Sequence, residues 1–319
     1  MKKYLISPEK KQYKANMHSH STFSDGKLTV EQLKEAYMER GYSVFAFSDH
    51  RTIHDHRDLA EANFLPLSAA EIDVSQPGKE NFNLRKSFHF NIIRRNPDSD
   101  FQLKYNNANF SFEYINELIA EAKANNCIVV ANHPNWSLFT EDDYMKIEGL
   151  DGFELYNCIT ANYGGALSFT PEIYMYLLRN GHYVRPIGAD DNHSFCLPFS
   201  EPYNDSFGGF TYIMADKLDY LSIIGAIDAG DCYCSMGPQF KEISVDGDEL
   251  YVKTTDAVQI SMLCDTRYTK FVNAPQGETV NELKATISRE NVGKFILFHT
   301  VDKNGLHAMT RAYITGKDF

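Results

Sequence analysis

Short apolar runs, each delivering a residue able to hold a metal ion, recur through the first two-thirds of this chain and restrict its fold more than any other feature. Val44 to Phe47 leads into Ser48-Asp49-His50, and Leu65 to Ile72 carries Glu71. Phe88 to Ile93 carries His89, Cys127 to Ala131 runs into Asn132-His133-Pro134, and Val184 to Gly188 runs into Asp190-Asp191-Asn192-His193. Runs of this length bounded by polar residues read as buried strands. Helix signals lie between them. Thr29-Val30-Glu31-Gln32 is a capping box opening a helix through Arg40 that Gly41 closes, and Ser111 to Asn125 shows an apolar stripe at Phe112, Ile115, Leu118, Ile119 and Ala122. Thr170-Pro171 opens another helix, which Gly181 stops, and Asp216 is expected to cap one through Ala229. About seven strand–helix units precede Gly237-Pro238, which predicts an α/β barrel of partly irregular form over residues 1–239.

From Phe240 the texture changes. Ile243 to Val245, Leu250 to Thr254, Val258 to Met262, Lys284 to Ile287 and Phe295 to Phe298 alternate or nearly so, with turn formers such as Asp246-Gly247 and Asn304-Gly305 between them. Residues 240–319 are therefore expected to form a small antiparallel β-sandwich serving as an accessory domain. At 319 residues and 43% hydrophobic content the chain has material for a barrel and such an appendage.

The formal charge of −12 falls almost wholly before residue 240, where nine of the histidines also lie. So acidic a surface is a poor platform for a nucleic-acid backbone, while a small anion in a metal-lined pocket stays compatible with it. The six cysteines are scattered, and Cys232-x-Cys234 lacks the spacing of a redox pair or a zinc ribbon, so reduced buried thiols are expected. Met1 to Lys11 has charges but no apolar segment behind them, and no stretch is long enough for a membrane helix. A cytoplasmic protein is the expectation.

The chemistry starts at His18-Ser19-His20. Two histidines separated by one residue on an extended segment point to the same side and can reach one ion, and Asp25 is close enough to hold a neighbouring ion. An isolated H-x-H reads first as two ordinary polar residues at a strand end. The ordered series that follows changes the balance: H-x-H-x-x-x-x-D-G, S-D-H, a strand-borne Glu, a strand-borne His, H-P and D-x-H over residues 16–193.

Taken together, His18, His20, Asp25, His50, Glu71, His89, His133, Asp191 and His193 resemble the PHP (polymerase and histidinol phosphatase) family of metal-dependent phosphoesterases. The resemblance implies a distorted (β/α)7 TIM-like barrel with a trinuclear site at the C-terminal ends of its strands. Carried over residue by residue, His18, His20, Glu71 and Asp191 would hold one ion. Glu71, bridging, would hold a second with His89 and His133, and Asp25, His50 and His193 the third. Two to three divalent ions (Zn, Mn or Fe) suit imidazole and carboxylate donors. The implied reaction is hydrolysis of a small phosphorylated substrate by metal-activated water, with Glu71, Asp191 and His193 central to catalysis. Arg51, Arg57 and Arg185 are candidates for a phosphate clamp, and His54 and His56 for protonating a leaving group. Relatives often carry G-S-D-A-H where this chain has Gly188 to His193, which makes Asp191 the expected ligand and Asp190 the fallback; Arg51 stands where relatives often have Asn. Glu154 is expected behind the ligands or as a strand-end packing residue. The competing classes are a metal-dependent amidohydrolase, for which no strand-borne lysine suggests itself as a bridge, and a binding module with a vestigial site.

Overall fold

The computed structural model describes residues 2–78, 81–162, 168–197, 199 and 203–319. In chain order its strands are β1 (Lys3–Ile6), β2 (Lys11–Asn16), β3 (Val44–Phe47), β4 (Leu65–Ser75), β5 (Ser87–Arg94), β6 (Cys127–Ala131), β7 (Gly152–Asn157), β8 (Arg185–Ala189), β9 (Phe210–Ala215) and β10 (Cys232–Ser235). They continue with β11 (Phe240–Asp246), β12 (Glu249–Ala257), β13 (Gln259–Cys264), β14 (Lys270–Asn273), β15 (Val280–Thr286), β16 (Phe295–Val301), β17 (His307–Thr310) and β18 (Tyr313–Ile314). The helices are α1 (Val30–Met38), α2 (Phe112–Ala124), α3 (Glu141–Tyr144), α4 (Cys158–Asn162), α5 (Pro171–Arg179) and α6 (Tyr220–Ala229).

Most of the expected elements form, for the expected reasons. The capping box at Thr29 and Gln32 opens α1, and Ser111 accepts from the Tyr114 amide at the start of α2. The last helix starts later than expected. Asp219, not Asp216, accepts from the Ser222 amide and caps α6, so its first turn begins at Tyr220.

One large mixed sheet runs in the order β14-β13-β16-β17-β10-β9-β2-β3-β4-β5-β6-β7-β8. Within it β2, β3 and β4 are parallel, as are β6, β7 and β8, whereas β5 runs antiparallel to both its neighbours. Strand–helix alternation is thus broken at β4-β5-β6. Among the described residues only a short 3-10 turn, Phe82–Leu84, lies between β4 and β5, which pair antiparallel and so need no crossover helix. At the far end, β8 returns toward β2: the Asp191 amide donates to the His18 carbonyl (2.9 Å) and the His20 amide to the Asn192 carbonyl (3.0 Å).

Alternation along these strands positions the site. One face carries Leu67 and Ala69 on β4, Ile128 and Val130 on β6, and Ile187 and Ala189 on β8, forming an apolar cluster that α6 covers with Ile223, Ile224 and Ile227. The same two-residue period carries that face of β4 on to Glu71 and Asp73, and puts His89 and Asn91 beside them on β5. The core thus turns polar toward one end. The opposite faces pack Phe45 and Phe47 against α1, and Phe90 and Ile92 against α2.

The chain after Gln239 divides between two sheets. Strands β11, β12 and β15 form an antiparallel sheet that β1, from the other end of the sequence, joins through Lys3–Ile6. Strands β13, β14, β16, β17 and β18 extend the large sheet through the β17–β10 ladder. A shared core including Ile6, Val252, Ile260 and Phe298 lies between them.

Candidate metal centre

Side chains from β4, β5 and the segments after β2, β3, β6 and β8 meet at the polar end of the large sheet. Three sets of donor atoms lie within 4.8 Å of one another: His18, His20, Glu71 and Asp191; Glu71, His89 and His133; and His20, Asp25, His50 and His193. All nine candidate ligands are therefore brought together, and His20 additionally approaches the third set. Asp191 faces this cluster. Asp190 turns away, accepting from Tyr37 Oη (2.7 Å) and the Gly209 and Phe207 amides (2.7 and 2.8 Å), and burial pushes its carboxyl up to about 7.

Glu71 sits at the middle. Its Oε1 is 3.0 Å from His89 Nδ1, 3.1 Å from His133 Nε2 and 3.3 Å from His18 Nε2. Its Oε2 is 3.2 Å from His50 Nδ1 and 3.4 Å from His20 Nε2. Burial opposes ionisation of Glu71, but the surrounding imidazoles, His18 foremost, hold its carboxyl well below the usual range. Although burial likewise works against a charged ring, Asp25 at 3.4 Å pushes the His193 imidazole up to about 9. The site thus concentrates buried carboxylates that need positive charge near them.

The donor set fits divalent cations. Nε2 of His18 and Nε2 of His20 face each other at 3.2 Å, and His50 Nδ1 is buried with no hydrogen-bond partner despite its approach to Glu71. One unpartnered buried ring nitrogen and two facing Nε2 atoms beside shared carboxylates suit divalent cations.

The far nitrogens of the rings are anchored. His18 Nδ1 contacts Glu154 Oε1 at 2.7 Å, His133 Nδ1 contacts Ser137 Oγ at 3.2 Å, His89 Nε2 contacts Ser87 Oγ at 3.0 Å, and His193 Nδ1 meets the Asp191 carbonyl at 3.0 Å. Such contacts fix the tautomer that presents the other nitrogen to a metal. The second oxygen of Glu154 accepts from the His133 amide (2.7 Å) and Asn157 Nδ2 (2.9 Å), so Glu154 is a positioning residue behind two ligands.

Local backbone conformation completes the aim. His133 and Asp191 have positive φ values of 20° and 55°, a costly region for non-glycine residues that tertiary contacts must hold. Gly26 closes the turn after the first histidines by donating to the Ser21 carbonyl (3.0 Å), and a Cβ there would sit 2.2 Å from the His20 carbonyl oxygen.

Three supporting residues were not singled out as functional by the sequence. Asp49 accepts from the Ser21 amide, Ser21 Oγ and Ser24 Oγ, each at 2.7 Å, and so fixes the loop carrying Asp25. Its place beside His50 in S-D-H was the available signal. Asn132 donates to Glu71 Oε1 at 2.8 Å, beside His133 in sequence. Asp205 accepts from the His193 amide at 2.8 Å, and nothing in its sequence context marked it.

A cleft of about 560 Å³ opens over the cluster, lined by Asp25, His50, Glu71, His89, His133, Asp191 and His193 together with Arg51, Asp73, Phe23, Trp136 and Phe195. No lysine lines it among the described residues. The three candidate arginines separate here. Arg51 lies at the rim, its guanidinium bound to both oxygens of Asp73 (2.9 and 3.1 Å). Arg57 does not line the cleft; it pairs with Asp55 and Asp98 on the surface. Arg185 is also corrected: it begins β8, at the opposite end of the strand from Asp191, and donates to the carbonyls of Asp151 and Asp228. His54 lies tilted against Phe23 (4.5 Å between centroids) and His56 is buried against Phe47 (4.9 Å); neither lines the cleft.

No protein-family model matches the chain. A stretch of 82 residues, 26% of this chain, is 33% identical to the DNA polymerase/3'-5' exonuclease PolX of Bacillus subtilis (strain 168) and spans 14% of that protein's length. The nine candidate ligands, dispersed over residues 18–193, converge in space. Their order in the sequence resembles that of the PHP family. Two solved structures resemble this chain distantly. One is a two-domain protein from Bacteroides vulgatus ATCC 8482 containing a predicted PHP-like metal-dependent phosphoesterase, 16% identical with 96% of each chain covered and a TM-score of 0.49. The other, from Bifidobacterium adolescentis ATCC 15703 and assigned as a metal-dependent phosphoesterase, is 17% identical over 58% of this chain and 89% of its own, with a TM-score of 0.37.

Proposed function

We propose that this chain hydrolyses a phosphate ester, a small phosphomonoester or small phosphodiester, at a trinuclear centre of Zn, Mn or Fe in a distorted (β/α)7 barrel. The observation carrying this reading is the sharing of Glu71 between two sets of ligands and its contact with the third, since a shared carboxylate holds ions about 3.5–4 Å apart, the spacing phosphoryl chemistry uses. His18, His20, Glu71 and Asp191 would hold one ion, Glu71, His89 and His133 a second, and Asp25, His50 and His193 a third. Bound divalent ions supply Lewis acidity, which makes water nucleophilic near neutral pH and offsets negative charge on phosphoryl oxygens.

The chain's own residues prepare that centre. Glu154 keeps the His18 proton on Nδ1, so the Nε2 lone pair faces Glu71 and Asp191. Asn132 and Asp49 hold Glu71 and the Asp25 loop in place without spending a ligand position. Arg51, at the rim, is the remaining candidate to meet the substrate's anionic group. A small substrate suits the acidic surface better than a nucleic-acid polymer. Six cysteines without a disulfide fit a reducing cytoplasmic setting, and no helix among the described residues is long and apolar enough to cross a membrane. Residues 1–239 would form the catalytic unit and 240–319 an accessory β-sandwich.

Metal analysis of chelator-free protein tests this directly, with two to three ions per chain expected and cleavage of an aryl phosphate after Mn or Zn loading. A chain that takes up no metal and cleaves no phosphate ester is not this enzyme.

A further inference from the structure

Two aromatic rings stand exposed at the mouth of an otherwise charged cleft. Phe23 and Phe195 are each 55% accessible, yet each lies two residues from a candidate ligand, Asp25 and His193. A phenyl ring left in water forgoes the gain from burying it, so a ligand seated in the cleft gains by covering these rings. Neither is on a loose segment. The Phe23 amide bonds to Ser21 Oγ (3.1 Å), inside the turn that Gly26 closes. The Phe195 amide reaches the Asp205 carboxylate (3.4 Å) that also receives the His193 amide.

The rings are arranged as surfaces. Phe195 lies parallel to His193, 5.0 Å away with 17° between planes, and His193 in turn stacks on His20 at 4.2 Å. Phe195 is therefore the outer end of a column of rings rising from the ligand cluster. Trp136 stands edge-on to His89 and His133, at 5.1 and 4.8 Å, and lines the same cleft with Ile159. An anionic group placed against the cluster would leave its attached alcohol portion among these three aromatic residues.

We infer that the cleft takes phosphate esters whose alcohol portion is a flat ring, held by Phe23, Trp136 and Phe195 while the phosphoryl group meets the ligand cluster. This rests on the phosphoesterase reading above. Aliphatic esters of similar charge lack a face to stack and gain less from the same walls. Arg51 and Asp73 line the same cleft, and their bidentate pair is a polar contact for substituents on the ring.

Trp136 is the single tryptophan of the chain, so the protein carries its own reporter. The test uses two non-hydrolysable probes, phenylphosphonate and methylphosphonate, titrated calorimetrically into metal-loaded protein while Trp136 emission is followed. Phenylphosphonate is expected to bind on the order of tenfold more tightly and to change the emission, and the phenyl-to-methyl ratio is expected to fall toward one in Phe23→Ala and Phe195→Ala. Because the ratio is taken within each variant, a general loss of affinity does not mimic this result. Equal affinity of the two probes in the parent protein overturns the ring site and leaves the phosphoesterase reading standing. A ratio unchanged in both variants also overturns it. If neither probe binds the metal-loaded chain, the phosphoesterase reading falls and the ring site with it.

Discussion

Each oxygen of Glu71 faces more than one imidazole, and Asn132 adds a hydrogen bond of 2.8 Å to one of them. A neutral amide there keeps the shape and loses the charge, so Glu71→Gln is expected to lower metal content and to cost more than roughly 100-fold in turnover of an aryl phosphate. Glu154 acts one step further out. In Glu154→Gln the amide cannot accept from both His18 and the His133 backbone, and metal affinity is expected to fall about 10- to 100-fold, read by competition with a chelating dye while circular dichroism reports an intact fold. Arg185 gives the contrasting case. Its guanidinium braces carbonyls far from the cleft, so Arg185→Ala should lower the melting temperature and leave KM within about twofold. Spacing cannot separate these arginines, because Arg51 and Arg185 are both polar residues next to strands and only their end of the strand differs.

At the level of elements, β16 and β17 bring His299 and His307 together, Nε2 to Nδ1 at 2.8 Å, with Phe169 stacked on His307 at 4.8 Å. Burial, with the neighbouring His307 ring, pushes His299 down to about 4. The native state therefore binds fewer protons there than the unfolded chain, whose histidine titrates near pH 6.5. Stability from this pair is fully present above about pH 6.5 and is lost as pH falls toward 4, by an amount on the order of 3 kcal/mol. Chemical denaturation across pH 4–7 should show a component of the slope that His299→Gln lacks; identical slopes would discount the pair. Strand β1 is the other informative element. Ile6 is buried in the core between the two C-terminal sheets, and Ile6→Ala should cost about 2–4 kcal/mol in the same measurement. Nothing in Lys3-Tyr4-Leu5-Ile6 announces a partner more than 200 residues away, because a four-residue strand has no pattern beyond its own alternation.

Over the whole molecule, the large sheet continues from the ligand-bearing strands through β10 and β17 into the C-terminal region, so the two halves of the sequence share backbone hydrogen bonds. Four carboxylates, Asp25, Glu71, Glu154 and Asp191, crowd one end of that sheet. Without cations their mutual repulsion opposes folding, and ions bound only by the native state stabilise it by about 2.7 kcal/mol at a hundredfold excess over Kd. Exhaustive chelation is thus expected to lower the thermal midpoint by several degrees, with recovery on adding Mn or Zn and none on adding a monovalent salt. An unchanged midpoint would show that the cluster holds no ion that matters to folding.

Residue type and order, with the family resemblance they carry, were enough to single out the candidate ligands and the strands that bear them, since apolar runs followed by His, Asp or Glu state both a buried strand and a polar end in one local pattern. Local pattern was also enough for the capping box at Thr29 and for Asp191 over Asp190, where the spacing to His193 decided. What distance along the chain cannot express was left to the tertiary structure: the antiparallel insertion of β5, the crossing of β1 to the C-terminal sheet, the desertion of the cleft by Arg57 and Arg185, and the service of Glu154 and Asp205 behind the ligands. Each of these depends on which strands become neighbours, and strand pairing is settled by long-range burial and hydrogen bonding that no short stretch of sequence contains.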